Sequence, residues 1–545
     1  MSDDLFAGLD KCAANFVPLS PVSFLQQTAH THADRTAIVY HDLRLSYAQM
    51  HDRVARVTSA LAARGIGAGD VVSIMAPNVP AMLEAHYAVP AAGAVLNPIN
   101  IRLDAATVAY ILGHCRAKLI LVDPDFLDVV EQARAAMDAP PDVVVVADPA
   151  AGAGVPEGAV TYDDLLREGD PETSLMLPAD EWSPIAINYT SGTTGDPKGV
   201  VYSHRGAYLN ATANALTFGM DAWTNYLWIL PMFHCSGWSH TWAVTLAGGT
   251  HICLRQVAAA AIFDLIVDER VTHCCAAPVV MNTLIHADPS VIRRPTARVK
   301  IATGGAPPSS TVIAGMEDLG FSVTHLYGLT ETYGPATINA PDPESDAPLD
   351  ERARQMARQG IGHPLLTDYR IASPETGAPG ARDGDALGEI QLRSNTVMMG
   401  YLQDPDETAR AFAGGWFHSG DLAVHHPDGM LEIKDRLKDV IISGGENISS
   451  VEIEEILTRH DAVMEAAVVA APSEKWGETP CAFVALKAGA KVSGDDLVDH
   501  CRAHMAGFKV PARVVVVDEL PKSATGKIQK YELRQRAAEM VDAKP

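Results

Sequence analysis

Short apolar runs alternate with amphipathic stretches through the first half of the chain. Thr36–Tyr40 and Val71–Met75 read as buried strands, and Val54, Val57 and Leu61 recur between them at helical spacing, with Gly65 as a stop. Lys118–Val122 and Val143–Ala147 repeat the strand signal on either side of a helical Leu127–Met137. Repeated strand–helix–strand units predict parallel sheets covered by helices, because a parallel pair needs a crossover to bring the chain back. The rhythm resumes from Trp228 through Phe321, so two such layers are expected. Pro149–Gly158, rich in Ala, Gly and Pro, reads as an exposed connector.

The pattern changes near Ile433–Leu437, where the charged segment Glu432–Asp439 precedes a unit of roughly 110 residues. That unit reads as helix Ser450–His460, strands Ala462–Ala471 and Cys481–Leu486, helix Gly494–Met505 and strand Val514–Val517. The expected fold is therefore α/β. A large domain of layered βαβ sheets spans 1–435, and a small α+β domain spans 436–545.

Composition narrows the classes. With 545 residues, 47% hydrophobic content and 20% charged residues, the chain has the make-up of a soluble protein of more than one domain. A formal net charge of −25 argues against nucleic acid or an anionic membrane as partner, while leaving room for a locally basic nucleotide pocket. The apolar Ala81–Val95 contains Glu84 and His86 and is too short to span a bilayer. Met1–Asp10 is acidic, unlike a secretory leader. Eight cysteines without a C-x-x-C pair suit reduced thiols, so a cytoplasmic location is expected.

Chemistry concentrates in Tyr189–Gly199, read Y-T-S-G-T-T-G-D-P-K-G. Ser191, Thr193, Thr194 and the glycines cannot build a core, but they can wrap backbone N–H groups, hydroxyls and the Lys198 ammonium around a polyanion. A flexible surface loop is the competing reading. No G-x-x-x-x-G-K-[ST] loop occurs in the chain. Four further polar stretches stand out: Thr303–Pro308, His325–Thr332, Trp416–Asp421 and Pro521–Lys527. Tyr327 could stack on a base, Thr330 could touch phosphate, Glu331 could hold Mg²⁺, and Asp421 suits the two hydroxyls of a ribose.

Taken in order, Thr190–Gly199, Tyr327–Thr332, Ser419–Asp421, Asp435–Lys438 and Pro521–Lys527 resemble the adenylate-forming superfamily of acyl-CoA synthetases, adenylation domains and luciferases. The resemblance runs from about Pro21 to Arg536. It implies ATP, Mg²⁺ and CoA as cofactors and co-substrate, and a small domain that swings about a hinge. Thr190, Ser191, Gly192, Thr193, Thr194 and Lys198 would close over the β- and γ-phosphates. Gly304, Gly305 and Ala306 would lie beside adenine and the acyl chain, with Tyr327 near the base. Thr330 would bind the α-phosphate, Glu331 the metal, and Asp421 and Arg436 the ribose. Lys527 would act during adenylation and Lys438 would be the hinge, after whose rotation Gly444, Gly445 and Trp476 would face CoA.

Leu230–Trp238 resembles the acyl-site stretch of short-chain acyl-CoA ligases, including methylmercaptopropionate–CoA ligases. His234 would gate the carboxylate, as against a buried hydrogen-bonded histidine, and Cys235 would be a packed thiol. Trp238 would truncate the acyl channel, as against plain core packing. The expected activity is ATP-dependent acyl-CoA ligation of a short or medium acid, or of 3-methylmercaptopropionate. Loading of a free carrier protein and aryl-CoA ligation stay open as alternatives, as does assembly into a homodimer.

Overall fold

In the computed structural model, which describes residues 5, 8–190, 196–305, 308, 310–340, 347–444, 446–473, 475–487, 489–522 and 528–542, the alternating pattern resolves into two large sheets. The first has seven strands, in the order Gly400–Tyr401, Gly199–Ser203, Pro184–Tyr189, Val95–Pro98, Val71–Met75, Ala117–Val122, Asp142–Val145. Its middle is parallel, whereas Gly199–Ser203 runs antiparallel to Pro184–Tyr189 as the second arm of a hairpin. The helix read as Leu127–Met137 ends at Ala135.

The second sheet has nine strands and is built around the parallel neighbours Val299–Gly304 and Phe321–Leu329. Here one expectation is corrected. Thr36–Tyr40 does not share a βαβ unit with Val71–Met75; it lies parallel to Thr250–Ile252 in the second sheet, edged by the antiparallel Leu43–Ser46. The intervening helix Tyr47–Ala63 thus connects two different sheets. Partners more than 200 residues downstream decide this pairing, and local periodicity carries no trace of them.

Burial explains the apolar stretch after Val79. Helix Pro80–Ala91 is buried at every position, so it shows no polar face. Its Glu84 carboxylate, without solvent exposure, pairs with Arg53 at 2.5 Å and accepts a hydrogen bond from the Tyr162 hydroxyl at 2.8 Å.

A buried ionic clamp joins the two sheets where their strands end. Arg255, just past Thr250–Ile252, binds Asp123 through two contacts of 2.7 and 2.8 Å and Asp148 at 2.8 Å, and also pairs with Asp125. Tyr40 donates to Asp148 at 2.5 Å. Breaking such a pair from one side leaves an uncompensated buried charge and costs about 3–5 kcal/mol.

Two features had no counterpart in the sequence reading. One is an antiparallel four-stranded sheet of Asp368–Ala372, Gly388–Arg393, Phe417–His425 and Leu431–Arg436. The other is the hairpin Ile441–Ser443/Glu446–Ile448, which opens the small domain's five-stranded sheet. The long strands Val463–Ser473 and Gly477–Leu486 centre that sheet. Helices Ser450–Thr458, Gly494–His504 and Lys530–Asp542 accompany them. Among the described residues no helix is long and apolar enough to cross a membrane. All eight cysteines are free, and only Cys12 is exposed.

Candidate active site

The Ser/Thr/Gly loop is the turn of the Pro184–Tyr189/Gly199–Ser203 hairpin, so it leaves the end of an interior strand rather than a lateral edge. Its two stems are locked together: Thr190 N–H donates to the Lys198 carbonyl at 3.0 Å, and Lys198 N–H to Thr190 Oγ1 at 3.4 Å. Ser191, Gly192, Thr193 and Thr194 lie outside the described residues. The Lys198 ammonium pairs with Glu407 and sits 4.9 Å from the centre of the Tyr401 ring.

Strand Phe321–Leu329 carries Tyr327 and passes directly into the turn Thr330–Thr332. The Tyr327 hydroxyl donates to Asp421 at 2.8 Å. Asp421 and Arg436 face one another across two antiparallel strands, and their carboxylate and guanidinium approach to 3.2 Å. Burial, and then the neighbouring Asp421 carboxylate, push the Tyr327 phenol well above its ordinary pKa, so it remains a donor. Gly304 stands in register with Leu326, while Gly305, at φ +87°, has open space where a side chain would begin. Ala306 lies outside the described residues.

Glu331 is fixed by groups that the sequence reading did not single out. Tyr401 donates to its Oε1 at 2.9 Å, and its carbonyl accepts from Met398 N–H at 2.8 Å. Tyr202 donates to the Thr330 carbonyl at 2.6 Å, and its ring stacks on Tyr333 with centres 3.6 Å apart. An oxygen-only side chain anchored by a tyrosine hydroxyl suits a hard cation. Among the described residues no three His, Cys, Asp or Glu side chains gather into a metal site. A magnesium ion at Glu331 would therefore take further oxygens from phosphate and water, as this ion commonly does.

Trp238 stands on an uncommon backbone. Cys235, Ser236, Gly237, Trp238 and Ser239 have φ of 44°, 47°, 61°, 54° and 60°, a left-handed turn in which only one residue is glycine. Each non-glycine residue there costs about 1–2 kcal/mol, so the surroundings must impose the shape. Three buried asparagines do so. Asn188 accepts from Ser236 Oγ at 2.8 Å and donates to the Phe233 carbonyl at 2.7 Å. Asn210 donates to Ser239 Oγ at 2.8 Å and to the Tyr333 carbonyl at 3.2 Å, and Asn214 donates to the Trp238 carbonyl at 2.7 Å. The Asn210 and Asn214 amide oxygens are buried without a partner among the described residues, an arrangement that costs about 1–3 kcal/mol per group.

The indole lies between two backbones that lack side chains. A Cβ on Gly334 would come within 3.2 Å of the Trp238 Cβ, Cγ and Cδ1, and one on Gly304 within 3.3 Å of Cη2. At the start of the turn, the Cys235 thiol is 3.5 Å from Thr330 Oγ1 and 4.0 Å from His234 Nε2. Burial raises that thiol to about 12, so it is a donor and not a thiolate.

The small domain joins below Arg436. The buried Asp435 accepts from Ser450 N–H at 2.5 Å and from Ser450 Oγ at 3.1 Å, at the start of helix Ser450–Thr458, where negative charge is favoured. Asp439 pairs with Arg534. Lys438 keeps part of its surface in solvent, yet partial burial, followed by the charges of Arg436 and Arg534, lowers its ammonium to about 8. Gly444, at φ +60°, donates its N–H to the Trp476 carbonyl at 2.8 Å. A Cβ there would strike the half-exposed indole at 2.8 Å, so these two expected CoA-facing residues do meet. Gly445 and Lys527 lie outside the described residues.

With this geometry in view, residues 25–402 match the family described as AMP-binding enzyme, and residues 452–527 match its C-terminal domain. The chain belongs to the AMP-binding enzymes. It is 46% identical to an acetate–CoA ligase (CCL3) of Humulus lupulus, covering 98% of this chain and 97% of that one. It is also 46% identical, with the same coverage, to a peroxisomal acetate/butyrate–CoA ligase (AAE7) of Arabidopsis thaliana. Among solved structures, ATP-bound MatB from Rhodopseudomonas palustris superposes with a TM-score of 0.83 at 26% identity. That match covers 96% of this chain and 100% of the other.

Proposed function

We propose that this chain is an AMP-forming acid–thiol ligase for short carboxylic acids. One observation carries the reading: the turn bearing Trp238 begins 3.5 Å from the Thr330 hydroxyl, so an acid seated against the indole has its carboxylate beside the phosphate-binding group. A carboxylate oxygen attacks the α-phosphorus of ATP, diphosphate leaves, and acyl-AMP forms. The thiol of CoA then attacks the acyl carbonyl and AMP departs. The first step sets anion against anion, so positioning and charge neutralisation supply most of the acceleration.

The roles follow. Thr190, Lys198 and the residues between them enclose the outer phosphates. Asp421 and Arg436 hold the ribose, with Tyr327 keeping Asp421 oriented from beneath and Gly304 and Gly305 flanking the base. Thr330 positions the α-phosphate, His234 the acid, and Lys527 the charge that develops during adenylation. Magnesium bound at Glu331 would offset phosphate charge. The domain boundary at 435/436 and the hinge at Lys438 belong to this reading. So does a CoA path along Gly444, Gly445 and Trp476, supported by the Gly444–Trp476 contact.

The short-acid preference is supported by the indole closing against Gly304 and Gly334, and by relatives named for acetate, butyrate and 2-methylpropanoate. 3-Methylmercaptopropionate fits the same length class. A panel of acids assayed for CoA-dependent AMP release tests the reading: activity should peak among short acids, and a protein that makes acyl-AMP but never transfers it to CoA would overturn it. Cytoplasmic location and a homodimer complete the proposal. The buried free thiols support the first, and a relative named as peroxisomal makes imaging in cells its test. Light scattering tests the second.

A further inference from the structure

We infer that Asn214 and Asn210 are positioning residues for acyl-length selection, gripping the Trp238 turn from behind and fixing the width of the slot that holds its ring. This rests on the reading of Trp238 as the pocket wall.

The two asparagines are four residues apart in helix His204–Thr217, so they project from one face, and neither has solvent exposure. Asparagine is a poor choice for a helix interior, and each of these leaves its amide oxygen unpartnered among the described residues. What both sites use is the NH₂ group. Asn214 spends it on the Trp238 carbonyl at 2.7 Å, within a left-handed turn whose internal backbone bonds run from Gly237 to His234 and from Ser239 to Ser236 among the described residues. Asn210 divides its donors between Ser239, the residue after the indole, and the carbonyl of Tyr333. Tyr333 immediately precedes Gly334, whose missing side chain is where the indole lies. One amide therefore ties the serine side chain next to the ring to the backbone that the ring rests on. Without these donors the turn would relax toward ordinary φ and the indole would leave its slot.

The test compares kcat/KM for acetate, butyrate, hexanoate and octanoate in wild type, Asn214→Leu, Trp238→Ala and the double variant, with KM for ATP measured in each. Asn214→Leu keeps the branched shape, with somewhat larger methyl groups, and removes the donor. The hexanoate-to-acetate ratio should rise about tenfold or more, the scale on which a pocket discriminates methylenes, while KM for ATP stays near wild type. If Asn214 acts through the ring, adding Asn214→Leu to Trp238→Ala should leave the profile where Trp238→Ala put it. A wild-type length profile in Asn214→Leu, accompanied only by a lower Tm, would overturn the inference, as would additive shifts in the double variant. Should Asn214→Leu not fold, Asn214→Ser gives the same readout. A shift in Trp238→Ala alone would sink the asparagine inference and leave the wall standing; no shift in either would remove both.

Discussion

Two segments border the site, and they are held by opposite means. Phe233–Ser239 is gripped by neutral, buried amides that donate to carbonyls and hydroxyls in fixed directions. Lys434–Asp439 is held largely by charge: Arg436 to Asp421, Asp439 to Arg534, and Asp435 to the start of a helix. A buried amide that loses its partner has no substitute, whereas Arg436 and Arg534 keep part of their guanidinium in solvent and can exchange a carboxylate for water. The first kind of attachment suits a wall that must not move. The second suits a joint that must. In this molecule acyl selection would be rigid and catalysis mobile.

The largest expected effect belongs to the lysine proposed for adenylation. Lys527→Ala should slow acyl-adenylate formation by about 10²–10³-fold, the usual cost of losing one preorganised electrostatic contact. Thioester formation from synthetic acyl-AMP and CoA should be largely retained, and an equal fall in both steps would erase the distinction between mobile and fixed parts. Lys438→Pro comes next. A proline that freezes the joint should cut CoA transfer by about 10²-fold, as misplacement of reacting groups does, while adenylation continues. Normal overall turnover would move the joint elsewhere.

On the rigid side, Trp238→Ala should move the best acid toward longer chains. Each methylene newly accommodated contributes about 0.8 kcal/mol, roughly fourfold in kcat/KM. An unchanged length profile with reduced stability would return Trp238 to the core.

The last effect touches stability and leaves activity aside; it is spread over the large domain and is read by pH. Burial lowers His86 and His204 to about 4 and His240 and His251 to about 3, so all four are neutral in the fold. The unfolded chain takes up protons near pH 6.5 and the folded one does not until far lower. Stability is therefore full above 6.5 and falls as pH drops toward 4, by about 1.4 kcal/mol per pH unit for each such histidine. Urea midpoints at pH 7.5 and 5.5 should show the large domain weakening on acidification, and equal midpoints would contradict the burial.

Much of the site was legible because nucleotide chemistry demands rare residue types in short stretches. Residue types alone picked out Tyr327, Asp421 and the loop Tyr189–Gly199, whereas Arg436, Gly444 and Trp476 came from the family resemblance; the structure sets Tyr327 and Arg436 on Asp421 and Gly444 against Trp476. What escaped detection depends on distant partners. Thr36–Tyr40 looks the same in either sheet, and the four-stranded sheet ending at Arg436 is built from short strands broken by glycine and charge. Tyr401 reaches Glu331 across 70 residues. The left-handed turn had almost no local signal, since four of its five residues are not glycine. Asn210 and Asn214 did offer one: two poor helix formers spaced to share a face.

Helix His204–Thr217 and the turn ending at Ser239 lie in one uninterrupted stretch of chain, and that stretch is sewn into the large domain: strand Asn225–Leu227 pairs with both Thr250–Ile252 and His273–Cys275, and Asn78 binds the backbone of Trp228, Leu230 and Met232. Acyl preference would then be inherited together with the sheet that surrounds it. Transplanting 204–239 should carry the donor's chain-length taste only into a ligase whose neighbouring strands accept the incoming one, so a lineage would change substrates more readily by point substitution around Gly304 and Gly334 than by recombination.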